Sequence, residues 1–354
     1  VNKGSIRIKD IAERANVSVG TVDRVLHNRG RVAEDVRQKV LQIATELQYE
    51  PNLIARTLGS NRSYKIAALV PNHVLDPYWD EPRYGFEKAA RELKRYGIGV
   101  EPYEFDLYNV DSFVEQAARV TEAKPDGILV APLFYRESLP FFEQWKQLDI
   151  PFVMFNTQIT EHQPLSYIGQ DSYQSGFLAG KLLHYGQSEP ASFLIAHIAE
   201  DFANSAHLIK KEQGFRDYFA QQDLAGMHTL IRQDFENRTQ TSMVDQLDQI
   251  LDTHPRIQGI FVTTSKAYVI APCLQSPARK RIRLVGYDLL EKNLPYLNDG
   301  AIDFLINQNA KGQGYWGIVR LADHLVFQKP VAPIKYLSLD IVTKENLQYY
   351  IDSE

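Results

Sequence analysis

From Tyr64 onward, apolar runs of strand length alternate with amphipathic stretches of helical period, and few folds accommodate that alternation. Lys65–Val70, Gly99–Phe105, Gly127–Pro132 and Phe152–Asn156 are predicted strands. Between them Tyr84–Tyr96, Ser112–Ala123 and Phe141–Leu148 are predicted helices, the first with Phe86, Ala89, Ala90 and Leu93 on one face. Near Gly169-Gln170-Asp171 the pattern starts again. Gln174–Tyr185, Leu208–Gln221, Thr239–Thr253 and Lys311–Val326 follow as helices. Ser192–His197, Met227–Ile231, Gly259–Thr263, Leu284–Tyr287 and Ala301–Ile306 follow as strands. A strand–helix–strand rhythm demands a parallel sheet with crossover helices packed on it. One such domain takes about 100–150 residues, so residues 64–354 are expected to form α/β architecture with two doubly wound parallel-sheet lobes. The expected N-lobe takes in about 64–170 and 309–337, the C-lobe about 171–308 and 338–354.

The first fifty residues follow a different, all-α rule. Ile8, Ile11, Ala12 and Ala15 recur at helical spacing, so Lys9–Ala15 is a short predicted helix. Asn16-Val17-Ser18 makes a turn, and Ser18 is a good N-cap for a second helix from Val19 to about His27. Val22, Val25 and Leu26 face inward, while Val19, Gly20, Thr21, Asp23 and Arg24 face out. A third helix, Glu34–Leu47, closes the core with Val36, Val40, Ile43, Ala44 and Leu47. Two short helices and a tight turn have helix-turn-helix geometry, with the second helix sized for a DNA major groove. Charge agrees with this division of labour. The chain carries a formal net charge of −5, yet residues 1–62 hold eleven Lys/Arg against seven Asp/Glu. The basic head and acidic body suit a phosphate-binding module joined to a sensor.

The ordered motifs of IKDIAERANVSVGTVDRVLHNRGRVAEDVRQKVLQIATELQYEPNLIARTLGS resemble the headpiece of the lactose-repressor (LacI) family. The family's D-(V/I)-A, G-V-S, T-V-S-R-V, Y-x-P-N and A-x-x-L elements occur in order, with ANVS in place of GVS and TVDRV in place of TVSRV. The resemblance implies that Val19 and Gly20 read base edges, with Arg24 on guanine or a phosphate. It implies backbone contacts from Ser18, Thr21 and His27. Residues 51–63 then form a hinge helix and linker, with Ala55 and Leu58 at the minor groove and Leu58 as the wedge between base steps. Asp23, where the family has serine, sets a carboxylate near phosphates and alters the expected operator sequence.

Ligands in parallel α/β lobes bind beyond the carboxyl ends of the strands. Asp76, Tyr78 and Trp79 follow the first strand, and Asn156 and Thr157 end the fourth. Phe235, Thr264, Asp288 and Gln308 follow strands of the second lobe. The body resembles type I periplasmic sugar-binding proteins: DPYW matches their aromatic element, Lys211-Glu212-Gln213-Gly214-Phe215 matches R-x-x-G-F, and Leu284–Asp288 matches V-G-(F/Y)-D. The resemblance implies that Lys211 stands where the ligand-gripping arginine does. Asn156-Thr157 and Thr264-Ser265 also replace the usual pairs, so an acidic or phosphorylated sugar joins neutral sugars as an expected ligand. Asp288 is alternatively an N-cap for a helix at Leu289–Tyr296.

Other function classes lack their signatures. No dinucleotide fingerprint or phosphate loop follows the first strand, and no G-x-S-x-G elbow or paired-histidine metal motif occurs. His162, His184, His197, His207 and His228 are scattered and are mostly expected at the surface or at caps. The single cysteine, Cys273, excludes an internal disulfide framework. Neither a catalytic activity nor a cofactor or metal is expected. No signal segment or membrane-spanning run is apparent, which leads to an expected cytoplasmic location without membrane partners. A sugar-uptake binding protein and a sugar-modifying enzyme are the competing expectations. The expected partners are a pseudo-palindromic double-stranded DNA operator, a second copy of the chain in a homodimer, and a small sugar-like effector that controls repression.

Overall fold

The computed structural model of the 354-residue chain describes residues 6–26, 30–47, 49, 62–159, 161–198, 204–235 and 240–351. The chain divides into two compact units, residues 1–61 and 62–354.

In the first unit, α1 (Ile8–Ala15), α2 (Val19–Leu26) and α3 (Glu34–Glu46) share one core. Ile11, Ala12, Ala15, Val22, Val25, Val40, Ile43 and Ala44 fill it. Helices of eight residues cannot persist alone, because nucleation costs more than so few turns return. This common core is what holds them. Helix α1 stops at Asn16, whose φ of 55° is the left-handed conformation that asparagine tolerates well. At the start of α2, Ser18 Oγ accepts from Thr21 N–H at 3.1 Å, as the cap expected there requires. His27, Ala55 and Leu58 lie outside the described residues.

The second unit holds two six-stranded sheets of matching order. The first runs β2 (Ile98–Phe105), β1 (Tyr64–Pro71), β3 (Gly127–Val130), β4 (Phe152–Phe155), β5 (Ser166–Gly169) and β11 (Ile334–Tyr336). The second runs β7 (Thr229–Phe235), β6 (Ser192–Ile198), β8 (Ile257–Val262), β9 (Arg283–Tyr287), β10 (Phe304–Asn307) and β12 (Asp340–Val342). All pairings are parallel except β10 with β12. Around the first sheet lie α4 (Asp80–Leu93), α5 (Val110–Ala123) and α6 (Tyr135–Gln147). The longer helices between strands of the second sheet are α7 (Ser172–His184), α8 (Ala206–Gln221) and α9 (Gln240–Thr253). Two short helices follow, α10 (Ala267–Ile270) and α11 (Leu294–Asn298), and α12 (Ala310–Leu325) returns to the first lobe.

Several boundaries differ from expectation. Helix α6 begins six residues before the predicted Phe141 and runs through Pro140, because packing of Phe142 and Trp145 outweighs one lost backbone bond. The strand placed at Met227–Ile231 lies at Thr229–Phe235, whose polar Arg232, Gln233 and Asp234 hide its period. Likewise the predicted Ala301–Ile306 forms a strand only from Phe304. Strands β5, β11 and β12 have three or four residues each and went unpredicted, being too short to show a period.

Each lobe has one helix pair in unusually close contact. In the C-lobe a Cβ on Gly176 would lie 1.9 Å from Lys211 O, and one on Gly214 would lie 1.9 Å from Tyr173 O. In the N-lobe Gly85 stands in the same relation to Lys311 O, and Gly314 to Pro82 O. Reciprocal glycines bring each pair of backbones together, and in the C-lobe this contact sets the position of Lys211. Gly214→Ala is expected to lower unfolding free energy by about 1–3 kcal/mol or more, because backbone cannot retreat as a side chain can. Gly226→Ala, where a Cβ meets nothing within 4 Å, is expected to change it little; denaturant melts of both variants check this.

His184 and His228 pack with ring centroids 5.1 Å apart behind the second sheet. Burial pushes both pKa values below their ordinary 6.5, and their mutual repulsion lowers that of His228 further. Because folding depresses these values, the unfolded chain binds more protons as pH falls below about 6.5. Stability is expected to be lost as pH falls from there through the lower folded values, and His184→Gln should flatten that dependence in denaturant melts.

Candidate functional site

Because the strands within each lobe are parallel apart from β12, their carboxyl ends share one edge, and a small cavity of about 40 Å³ lies there. The N-lobe contributes Asp76, Tyr78, Trp79, Leu107, Leu133 and Asn156 to its wall. His207, Lys211, Thr263, Thr264, Ser265 and Lys266 face them from the C-lobe, with Gln308 at a crossover between the lobes.

On the N-lobe side, Asp76 caps a single turn of 3-10 helix, Pro77–Trp79, by accepting from Tyr78 N–H at 3.0 Å. The Tyr78 and Trp79 rings meet edge to face at 5.0 Å, and Trp79 rests on Phe155. Asn156 Nδ2 donates to Tyr78 Oη at 2.7 Å. Burial, and next the charge of Asp288, push the Tyr78 pKa well above its usual value, so the phenol stays neutral.

The C-lobe wall is built on buried charge. Lys211 is 2% exposed. Its Nζ donates to Thr263 O at 2.9 Å and lies 3.6 Å from the Tyr287 ring centroid. Asp288 accepts from Ser265 Oγ at 2.6 Å and from Gln308 Nε2 at 2.5 Å. Burial raises its pKa against the opposing influence of Ser265, Lys211 and Gln308. Asp288 does not begin a helix. Its φ is 62°, the next helix starts at Leu294, and Asn293 Nδ2 binds the carbonyls of Ser265, Tyr287 and Asp288. Gln170 Nε2 donates to Gln308 Oε1, joining the other crossover to this cluster.

Behind the wall, His197 bridges Thr263 Oγ1 at 2.7 Å and Glu212 Oε2 at 2.9 Å. Burial opposes the charge of Glu212, but hydrogen bonds from His197 and Arg216 hold its pKa below the usual value. His197, His207 and His228 are all buried, so the expected surface or capping role fails for them. His197 and His207 each meet a polar side chain, and His228 Nδ1 accepts from Ala191 N–H at 3.2 Å while its Nε2 has no hydrogen-bond partner among the described residues; sequence spacing shows none of this.

Seven of the ten sequence-derived ligand positions line the cavity: Asp76, Tyr78, Trp79, Asn156, Lys211, Thr264 and Gln308. Thr157, Phe235 and Asp288 do not. Thr157 turns to His207 Nδ1 at 3.1 Å, Phe235 ends β7 inside the apolar core, and Asp288 stands behind Ser265 and Gln308. His207 and Lys266 were missed; the place of Lys266, just after the strand-end pair Thr264-Ser265, is the signal that could have found it.

In the head, Ser18, Val19, Gly20 and Arg24 are exposed and Thr21 half-buried on one edge of α2. Ser18 Oγ and Thr21 Oγ1 share a hydrogen bond of 2.9 Å, and Arg24 Nε folds back on Gly20 O at 3.1 Å. Among the described residues no cluster of three His, Cys, Asp or Glu is placed to hold a metal ion, and no helix is long and apolar enough to cross a membrane. Tyr78→Phe is expected to cost about 1–3 kcal/mol, because it strips Asn156 Nδ2 of its acceptor in a buried wall; urea unfolding measures the loss.

Comparison with known proteins places both parts. Residues 7–52 match bacterial regulatory proteins of the lacI family, and residues 66–329 match the periplasmic binding protein domain. A ribose operon repressor from Halalkalibacterium halodurans is 29% identical over 301 residues, 79% of this chain and 80% of that protein. A sucrose operon repressor from Pediococcus pentosaceus is 25% identical over 288 residues, 80% of this chain and 82% of that protein. A solved structure from Bacteroides fragilis, assigned as a LacI transcriptional regulator, is 31% identical with a TM-score of 0.76, covering 82% of this chain and all of that one. The chain belongs to the LacI family, as a ligand-responsive, DNA-binding repressor with a helix-turn-helix head and a periplasmic-binding-protein body.

Proposed function

We propose that this repressor is controlled by a sugar or sugar derivative held between the lobes of its body, and that it grips a pseudo-palindromic operator as a homodimer in the cytoplasm. One observation carries the effector reading. Thr264, in the cavity wall, has a buried hydroxyl with no hydrogen-bond partner among the described residues. Such a group is costly to bury unless something else completes it. A ligand hydroxyl would do so. The aromatic pair Tyr78 and Trp79 beside Asp76 and Asn156 suits the C–H faces and hydroxyls of a carbohydrate. The relatives named for ribose and sucrose operons support the same class.

On the DNA side, the proposed contacts are Ser18, Val19, Gly20, Thr21 and Arg24, with His27, Ala55 and Leu58 completing the set expected from sequence. Val19 is half exposed at the start of α2, which suits contact with a thymine methyl or base edge. We assign no catalytic role to the cavity. Effector binding and operator binding must influence each other reciprocally if they share one conformational equilibrium. An uptake binding protein would have no use for the basic head, which favours the regulator.

Thermal-shift screening against ribose, sucrose, sugar acids and sugar phosphates tests the effector class, since a ligand selective for the native state raises its melting temperature. Thr264→Val is expected to shrink that shift; absence of any shift across the panel would sink the carbohydrate reading. Arg24→Ala is expected to weaken binding to a duplex selected from random sequences by about 1–3 kcal/mol. Titration at several salt concentrations separates a base contact from a phosphate contact, because only the latter flattens the salt dependence.

A further inference from the structure

Side chains join the lobes across the cavity, and one of the joints is an ion pair. Lys266, which follows β8, places its Nζ 3.0 Å from Asp76 Oδ2 in the loop after β1. The same Nζ donates to Tyr108 Oη at 3.1 Å, beyond the end of β2. Both charged side chains are only 9% exposed, so the pair is closed off from water in this arrangement. Elsewhere along the cleft, Asn204 from the C-lobe accepts from Arg136 N–H at 3.1 Å and donates to Glu137 Oε2 at 2.8 Å. Arg136 lies in the first turn of α6, where a backbone N–H has no partner within its own helix.

We propose that the Asp76–Lys266 pair is a latch that holds the two lobes together, so that an effector entering between them must part it. Lys266 reaches from the C-lobe into the cavity wall and spans it to the N-lobe. The electrostatics give the latch its selectivity for the closed form. Both ions are desolvated only when the lobes meet, and each is tolerable there because the other is present. Neutralising either one leaves a lone charge in the closed cleft, and opening relieves that penalty by returning it to water. Asp76 Oδ1 separately caps the Pro77–Trp79 turn, a role that asparagine retains.

The full-length protein without added sugar provides the test, so its result is independent of whether a carbohydrate binds. Residue-resolved hydrogen exchange is compared for wild type, Lys266→Gln, Asp76→Asn and Lys266→Arg. Arg136 N–H is the reporter, because its bond crosses the lobes at a place that neither substitution touches. Lys266→Gln and Asp76→Asn are expected to speed its exchange by roughly tenfold or more while the amides of β1 and β8 keep their protection. Lys266→Arg, which preserves the charge, is expected to leave Arg136 slow. If Arg136 exchanges at the wild-type rate in both neutralising variants, the latch is overturned, even where amides beside residues 76 and 266 exchange faster.

Discussion

Close backbone contact between helices is the constraint on which the sensor body depends. Gly176 and Gly214 in one lobe, and Gly85 and Gly314 in the other, let paired helices approach until main chain meets main chain. At that separation the helices lie flush over their sheets, and neither partner can shift without the other. Because Lys211 O is the atom that Gly176 admits, the same contact fixes where the Lys211 side chain leaves α8. The glycine of the KEQGF motif is thus explained by packing and the lysine by the cavity, although they are three residues apart.

Once the helices and strands are placed, the cavity is a problem of compensating charge. Lys211 stands in the wall with Asp288 behind it, Glu212 is held by His197 and Arg216, and Lys266 reaches across to Asp76. A buried ion is tolerated only with a partner and with its remaining hydrogen bonds satisfied. The network meets both conditions through groups that serve the polar site twice over. Thr263 offers its carbonyl to Lys211 and its hydroxyl to His197. Gln308 binds Asp288 and Gln170, tying a crossover strand to the cavity wall. Asp76 and Lys266, which join the lobes, therefore also line the site.

The head follows a different logic. Its helices are too short to stand alone and its core is small, so most of its side chains remain available at the surface. Ser18 stabilises α2 and also stands at the edge proposed to meet DNA. A residue in such a position couples local folding to recognition, because an operator contact there would strengthen the helix it relies on.

The sequence by itself determined the alternation of strands and helices, the three-helix head, and a site at strand ends. Each follows from local period or from chain direction. The same reasoning led to Asp76, Tyr78, Trp79, Asn156, Thr264 and Gln308, because a parallel strand delivers the next polar or aromatic residue to one edge, whereas Lys211, inside α8, came only from its match to R-x-x-G-F. It could not tell that Asp288 stands one layer back, that Phe235 closes the core, or that Lys266 crosses to the other lobe. Strand-end position is shared by lining, supporting and core residues alike. Only the tertiary structure decided among them, through burial that forces each charge toward a partner distant in sequence: Asp288 toward Ser265 and Gln308, Glu212 toward His197, and Lys266 toward Asp76.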